Sequence, residues 1–145
     1  VDVRREPGSR RVPWTNAGEI AAALPVDYVH MPALGGRRRA IRGSPNGAWE
    51  NHQFRGYADH MASAEFEQSL AELERLARER PAAVMCAEAQ WWRCHRRLLA
   101  DALVVRGWEV LHVDARGSTD HHELTEFAMV EGERLTYPPP QLALE

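Results

Sequence analysis

The sequence predicts an α/β protein, a three-layer α/β/α arrangement with a mainly parallel sheet of about four to five strands plus a C-terminal hairpin. Three observations point there. Short apolar runs recur at Val26 to Met31, Ala82 to Cys86 and Glu109 to Val113, bounded by proline, glycine or polar loops. Between them lie segments whose apolar residues fall at three- and four-residue steps, as on one face of a helix. After that alternation ends, Ala128 to Val130 and Arg134 to Tyr137 flank Glu131-Gly132-Glu133, whose glycine suits a tight turn.

Taken in order, Val1-Asp2-Val3-Arg4 reads as the end of a buried strand, and the chain opens inside that element, as though a preceding strand and helix were missing. A loop punctuated by Pro7, Gly8 and Pro13 leads to a short helix over Ala17 to Leu24, with Asn16 placed as its cap. Val26 to Met31 is a second strand, closed by Pro32. From Leu34 to Asn51 the glycines and Pro45 are too frequent for regular structure, which predicts a long surface loop. Phe54 to Met61 forms a short helix, and Ser63 caps a longer one to about Arg80, where Phe66, Leu70, Leu73 and Ala77 make an apolar stripe. Pro81 ends it, Ala82 to Cys86 is the third strand, and a helix from Leu98 stops at Gly107, a residue suited to a left-handed cap. The strand Glu109 to Val113, a polar loop, a short helix near His121 to Phe127 and the hairpin follow. Residues 1–137 therefore read as a single α/β domain, and 138–145 as a proline-rich tail whose final Leu144-Glu145 has the look of a cloning scar.

A chain of 145 residues is one domain's worth and needs no disulfide or metal to support its core. No apolar run approaches the roughly 18 residues of a membrane span, and no signal segment opens the chain, so the expected location is the cytoplasm, with no membrane partner. There Cys86 and Cys94 are expected as free thiols. Every basic side chain is arginine; guanidinium is the better bidentate ligand for phosphate, although a GC-rich genome produces the same bias. The net charge of −3 argues against a general nucleic-acid binder and leaves only local clusters at Arg4-Arg5, Arg10-Arg11, Arg37 to Arg39 and Arg93 with Arg96-Arg97.

Chemistry concentrates between Met85 and Arg97, where two thiols, a carboxylate, an imidazole and several guanidiniums lie between an apolar strand and a helix. In open α/β sheets ligands gather beyond the carboxyl ends of the strands, which would bring together Asp2, Arg4, His30, Cys86, Glu88 and His112 or Asp114. With Asp2-Val3-Arg4, Pro7-Gly8-Ser9-Arg10, Leu34-Gly35-Gly36-Arg37, Phe54-Arg55-Gly56-Tyr57-Ala58, Met85-Cys86-Ala87-Glu88 and Cys94-His95-Arg96, the chain resembles the bacterial domain of unknown function 488 nearly to Tyr137. The resemblance implies a compact α/β domain with a strand and helix ahead of Asp2, and no settled activity.

The residues themselves leave several readings open. A thiol at a strand end before a helix start resembles the arrangement in rhodaneses and Cys-dependent phosphatases, where backbone N–H groups and an arginine hold an oxyanion beside a thiolate. Six residues separate Cys86 from Arg93 where phosphatases have five, and the loop carries tryptophans in place of glycines. The plainer reading of Cys86 is a small buried hydrophobe. Metal ligation by Cys86, Cys94 and His95, completed by His30 or His112, matches no standard zinc spacing, so no metal site is assigned and no cofactor is identified. Alternatively Glu88 and Asp2 act as acid and base, or simply neutralise nearby arginines. Trp49, Trp91 and Trp92 suit either core packing or the stacking of a flat base. His121-His122 reads as a solvated pair without a role.

The expected site is an anion pocket with Cys86, Glu88 and Asp2 nearest the chemistry, and with Arg4, Ser9, Arg10, Gly35, Gly36, Arg37, Arg93, Cys94, His95 and Arg96 binding the substrate. It would serve an enzyme acting on an anionic small molecule, nucleotide-like or phosphorylated. The alternative is a non-catalytic module for nucleic acid or a protein partner, contacted through Arg37 to Arg39.

Overall fold

The computed structural model describes residues 1–141, so the Leu144-Glu145 end lies outside the described residues. The chain divides into two compact units, one of Val1–Gly36 with Ala64–Ala87 and the other of Arg37–Ser63 with Glu88–Glu145.

In the first unit the short helix α1, Ala17–Ala23, follows a 3-10 turn at Pro13–Thr15. Asn16 stands at its N-cap but does not cap it; the side-chain oxygen accepts from the Ser9 backbone N–H instead and folds the preceding loop. A second 3-10 turn, Pro32–Leu34, buries Leu34 and packs near the long helix α3, Ala64–Glu79. The stripe on α3 buries Phe66, Leu70 and Leu73 as its spacing predicts. Glu74 is buried as well, on the same side, with Arg78 at 3.5 Å.

The expected three-layer sandwich with a parallel sheet of four to five strands is not what the chain forms. Among the described residues there are two antiparallel two-stranded sheets, and parallel pairing survives only as isolated bridges from Asp2 to His30 and from Asp2 to Met85. The predicted strands are too short to extend a ladder. Pro32 turns the chain immediately after Met31, Val26 is 65% exposed, and the residues after Met85 leave the extended path for a loop. The fourth predicted strand, in the second unit, pairs antiparallel with a neighbouring segment instead.

In the second unit, helix α2, His52–His60, is capped by Asn51, which accepts from the N–H groups of Gln53 and Phe54. Helix α4, Arg96–Val105, ends in two bonds, Gly107 N–H to Val104 and Trp108 N–H to Leu103, with Gly107 at φ 88°. This is a Schellman close, which needs the left-handed conformation that glycine adopts without strain. Strand β1, Leu111–Val113, pairs antiparallel with β2, Thr119–His121, across the tight turn at Asp114 to Gly117. That local partner is available within a few residues and replaces any parallel one. Strand β2 and an irregular stretch also take the place of the helix expected near His121 to Phe127. Strands β3, Met129–Glu131, and β4, Arg134–Thr136, form the expected hairpin around Gly132 at φ 65°. The loop from Gly35 to Asn51 has no helix or strand, yet Trp49 is buried edge-on against Phe54, Phe127 and Tyr137, with the Arg97 guanidinium 5.0 Å over its ring.

Among the described residues no helix is long and apolar enough to cross a membrane.

Candidate functional site

The residues expected to share one pocket fall in both units. The first holds Asp2, Arg4, Ser9, Arg10, Gly35, Gly36 and Cys86; the second holds Arg37, Glu88, Arg93, Cys94, His95 and Arg96.

In the first unit Asp2 is fully buried and saturated. Arg4 grips it through Nε at 3.0 Å and Nη2 at 2.8 Å, the Arg4 backbone N–H donates to it, and the Tyr28 hydroxyl donates to the second oxygen. Burial pushes the Asp2 carboxyl up, but the Arg4 guanidinium and the Tyr28 hydroxyl outweigh it and hold the group below its ordinary value. The remaining Arg4 Nη1 donates to the Thr15 carbonyl at 2.8 Å, so this arginine is committed to the fold. Ser9 Oγ accepts from Arg11 and Val12 N–H groups and ties its own loop. Arg10 is exposed, Gly36 half-buried, and Gly35 is buried where a side chain would strike the carbonyls of Val3 and Pro32 at 2.8 and 2.9 Å. Cys86 is half-buried and is not in a disulfide. These contacts are those of a buried structural ion pair with its supporting loops.

The second unit gathers more reactive groups around the entrance to α4. A 3-10 turn at Trp91–Arg93 leads into Cys94, whose N–H bonds back to the Trp91 carbonyl at 3.1 Å. Cys94 is buried, its sulfur lies 3.5 Å from His95 Nδ1, and Arg96 Nε donates to it at 3.3 Å. The other end of the Arg96 fork donates to the Glu88 carbonyl, which fixes the guanidinium against the sulfur. His95 packs at 5.0 Å from the Tyr57 ring, and its Nε2 is buried without a hydrogen-bond partner. A bare ring nitrogen is easier to leave there than an orphaned N–H, so the favoured tautomer carries its proton on Nδ1 and directs it at the sulfur. Glu88 is half-buried and its carboxylate accepts from the Gln90 N–H at 3.0 Å, closing its own loop. Arg93 is exposed and makes one long bond to Gln90 at 3.4 Å, beside the half-exposed Trp92. Arg37 is exposed at φ 57°.

A chain of groups that sequence reasoning missed runs from α4 through His122 to His112 on β1. Asp101, on the buried face of α4, meets His122 Nε2 at 2.7 Å, and His122 Nδ1 meets His112 Nε2 at 2.8 Å. The Thr125 N–H and the Tyr137 hydroxyl complete the shell of Asp101 at 3.0 and 2.7 Å. Trp91 lies flat on His112, with ring centroids 3.8 Å apart and planes parallel. Burial first, then electrostatic repulsion from the neighbouring His122 and Arg96, push the His112 ring down to about 4, so it is neutral at neutral pH. Arg96 is thus common to both groups, touching the Cys94 sulfur and acting electrostatically on His112.

Residues 1–103 match the model of the family described as domain of unknown function DUF488. The chain belongs to the DUF488 family. No curated protein and no solved structure matches it. The DUF488 match covers Cys94, His95, Arg96 and Asp101 but ends before His112, His122 and Tyr137. One sequence signal for the missed chain was present: an aspartate within Leu98-Leu99-Ala100-Asp101-Ala102 faces the core of an apolar helix and has to be paired. His122, read from the sequence as solvated, is 8% exposed and is that partner, whereas His121 is exposed.

Proposed function

We infer that this DUF488 domain is a thiol-dependent enzyme whose nucleophile is Cys94 and whose substrate is an anionic small molecule, nucleotide-like or phosphorylated. The observation that carries the reading is the Cys94 sulfur lying 3.3 Å from Arg96 Nε and 3.5 Å from His95 Nδ1 at the entrance to α4. A guanidinium and an imidazole N–H aimed at sulfur favour thiolate over thiol, and the helix N-terminus acts in the same direction. The low exposure of Cys94 keeps water from screening those interactions. Arg93 supplies an exposed cation for the substrate's charge, and the face of Trp92 suits a planar base. This reading moves the nucleophile from Cys86 to Cys94 and gives Asp2 a structural role.

The deciding experiment is the ultraviolet thiolate absorbance of Cys86→Ser and of Cys86→Ser with Cys94→Ser as a function of pH, followed by turnover of p-nitrophenyl phosphate. Cys94 is expected to ionise well below the ordinary thiol value of about 8.5, and turnover is expected to vanish with it. A Cys94 that ionises near or above that value removes the thiolate reading. Binding to single-stranded DNA that falls steeply with salt and depends on Arg37 to Arg39 would then favour the module that only binds.

A further inference from the structure

The enzyme reading leaves Asp101, His122 and His112 without a task, and their geometry is more exacting than core packing requires. A buried carboxylate accepting from Thr125 N–H and from the Tyr137 hydroxyl can only accept from its third neighbour as well, which places the proton of His122 on Nε2. Neutral His122 then offers a lone pair at Nδ1, so the 2.8 Å bond is donated by His112 Nε2. His112 is left with a lone pair at Nδ1, and among the described residues that nitrogen has no hydrogen-bond partner. Each tautomer follows from the one before it, starting from Asp101. A ring orientation that the Trp91 stack also fixes is therefore tied to one free basic nitrogen, next to the turn that carries Cys94.

We propose that His112 is the general base that directs water onto a covalent intermediate at Cys94, with His122 and Asp101 as positioning residues that receive and stabilise the displaced proton. The inference rests on the Cys94 reading and deepens it: the reaction is hydrolysis of an activated ester, with water as the acceptor. The Cys94 thiolate first attacks the ester, and the ester's alkoxide or phenoxide leaves with the electron pair of the broken ester bond. Water then attacks the carbonyl or phosphoryl centre bound to sulfur, a bond to its oxygen forms, and the bond to sulfur breaks with its electrons going to the Cys94 thiolate. The water proton moves to His112 Nδ1 while the Nε2 proton passes to His122 Nδ1, so that the positive charge rests on His122 beside Asp101. Return of the proton to solvent restores the starting tautomers. The arrangement differs from a Ser-His-Asp triad in having two imidazoles in series between the carboxylate and the reacting water.

The test uses the whole chain with p-nitrophenyl acetate as the probe, a small ester that acylates a thiolate directly. Intact mass follows gain and loss of one acetyl group on Cys94, and long-range proton–nitrogen spectra of the histidine rings give the tautomers. The wild type is expected to acquire and shed the acetyl group, and His112→Gln to acquire it but shed it about 100-fold more slowly, at the low end of general-base contributions. His122 and His112 are both expected to carry their proton on Nε2, and Asp101→Asn to disturb the His112 nitrogen signals, a change that loss of stability alone would not produce. Unaltered deacetylation in a folded His112→Gln overturns the relay and leaves the Cys94 reading standing. A wild type whose Cys94 takes up no acetyl group overturns both. If His112→Gln does not fold, the wild-type spectrum decides, because a proton on His112 Nδ1 is incompatible with the proposal and one on Nε2 supports it.

Discussion

The Tyr137 hydroxyl donates to Asp101 Oδ2 at 2.7 Å in a fully buried site, joining residues 36 positions apart in the chain. Asp101 lies inside the segment that matches the DUF488 family, whereas His122, Thr125 and Tyr137, which satisfy its carboxylate, lie beyond it. The matched segment therefore contains a buried carboxylate whose hydrogen-bond partners come from the residues that follow it. Burial and then the Asp101 charge push the Tyr137 hydroxyl far up, so it remains a donor across the working pH range. Tyr137→Phe removes that donor and leaves one carboxylate oxygen unpaired in the core, a loss of about 1–3 kcal/mol. Urea unfolding of the variant and the wild type measures this directly. Equal midpoints would show that the hydroxyl adds no net stability.

Gly56 supplies a test of a different kind. It sits in α2, where alanine normally gains about 1 kcal/mol over glycine. A Cβ at this position would fall 2.6 and 2.7 Å from the carbonyl carbons of Arg38 and Arg39, and both are backbone atoms that no rotamer change can withdraw. Overpacking of this sort costs about 1–3 kcal/mol, which exceeds the propensity gain. Gly56→Ala is therefore expected to lower the thermal midpoint. A higher midpoint would mean that the loop carrying Arg38 and Arg39 yields freely.

Local signals were legible in the sequence and pairing was not. The stripe on α3, the glycine stop of α4 and the turn at Gly132 each depend on residues a few positions apart, and each stands where its pattern predicts. The sheet depended on which strand finds which, and a run such as Glu109 to Val113 reads the same whether its partner is parallel and distant or antiparallel and eight residues on. The site followed the same division. Cys94, His95 and Arg96 are adjacent in sequence and could be named together, whereas His122 looked solvated because nothing near it in the chain reveals Asp101.

Asp2 should shape the acid limb of stability. Its folded carboxyl is held below the ordinary 3.8, so the folded state releases the proton more readily than the unfolded state does. The resulting stabilisation is fully present above the unfolded value of about 3.9 and is lost as pH falls through the lower folded one. Asp2→Asn is expected to be less stable at neutral pH, because Arg4 loses its partner, and to show a shallower decline below about pH 4. Denaturant midpoints across that range test it. An unchanged slope would locate the acid sensitivity in other carboxylates.

His112 acts in a higher window, which makes its contribution separable from that of Asp2. Burial first, then electrostatic repulsion from His122 and Arg96, push its ring from 6.5 down to about 4, with only Asp120 opposing. The unfolded chain therefore binds this proton more readily than the folded one between those values, and unfolding becomes easier as pH falls through that interval. Above about 6.5 neither state holds the proton and the contribution is complete. His112→Gln should flatten the stability profile over that interval while leaving the steeper loss below pH 4 to Asp2. Titration of the His112 ring by proton resonance supplies the direct check, with a midpoint near 4 expected. A midpoint near 6.5 would mean that the ring is solvated and that its stack on Trp91 does not persist in solution, which would also remove the fixed orientation on which its role as a base depends.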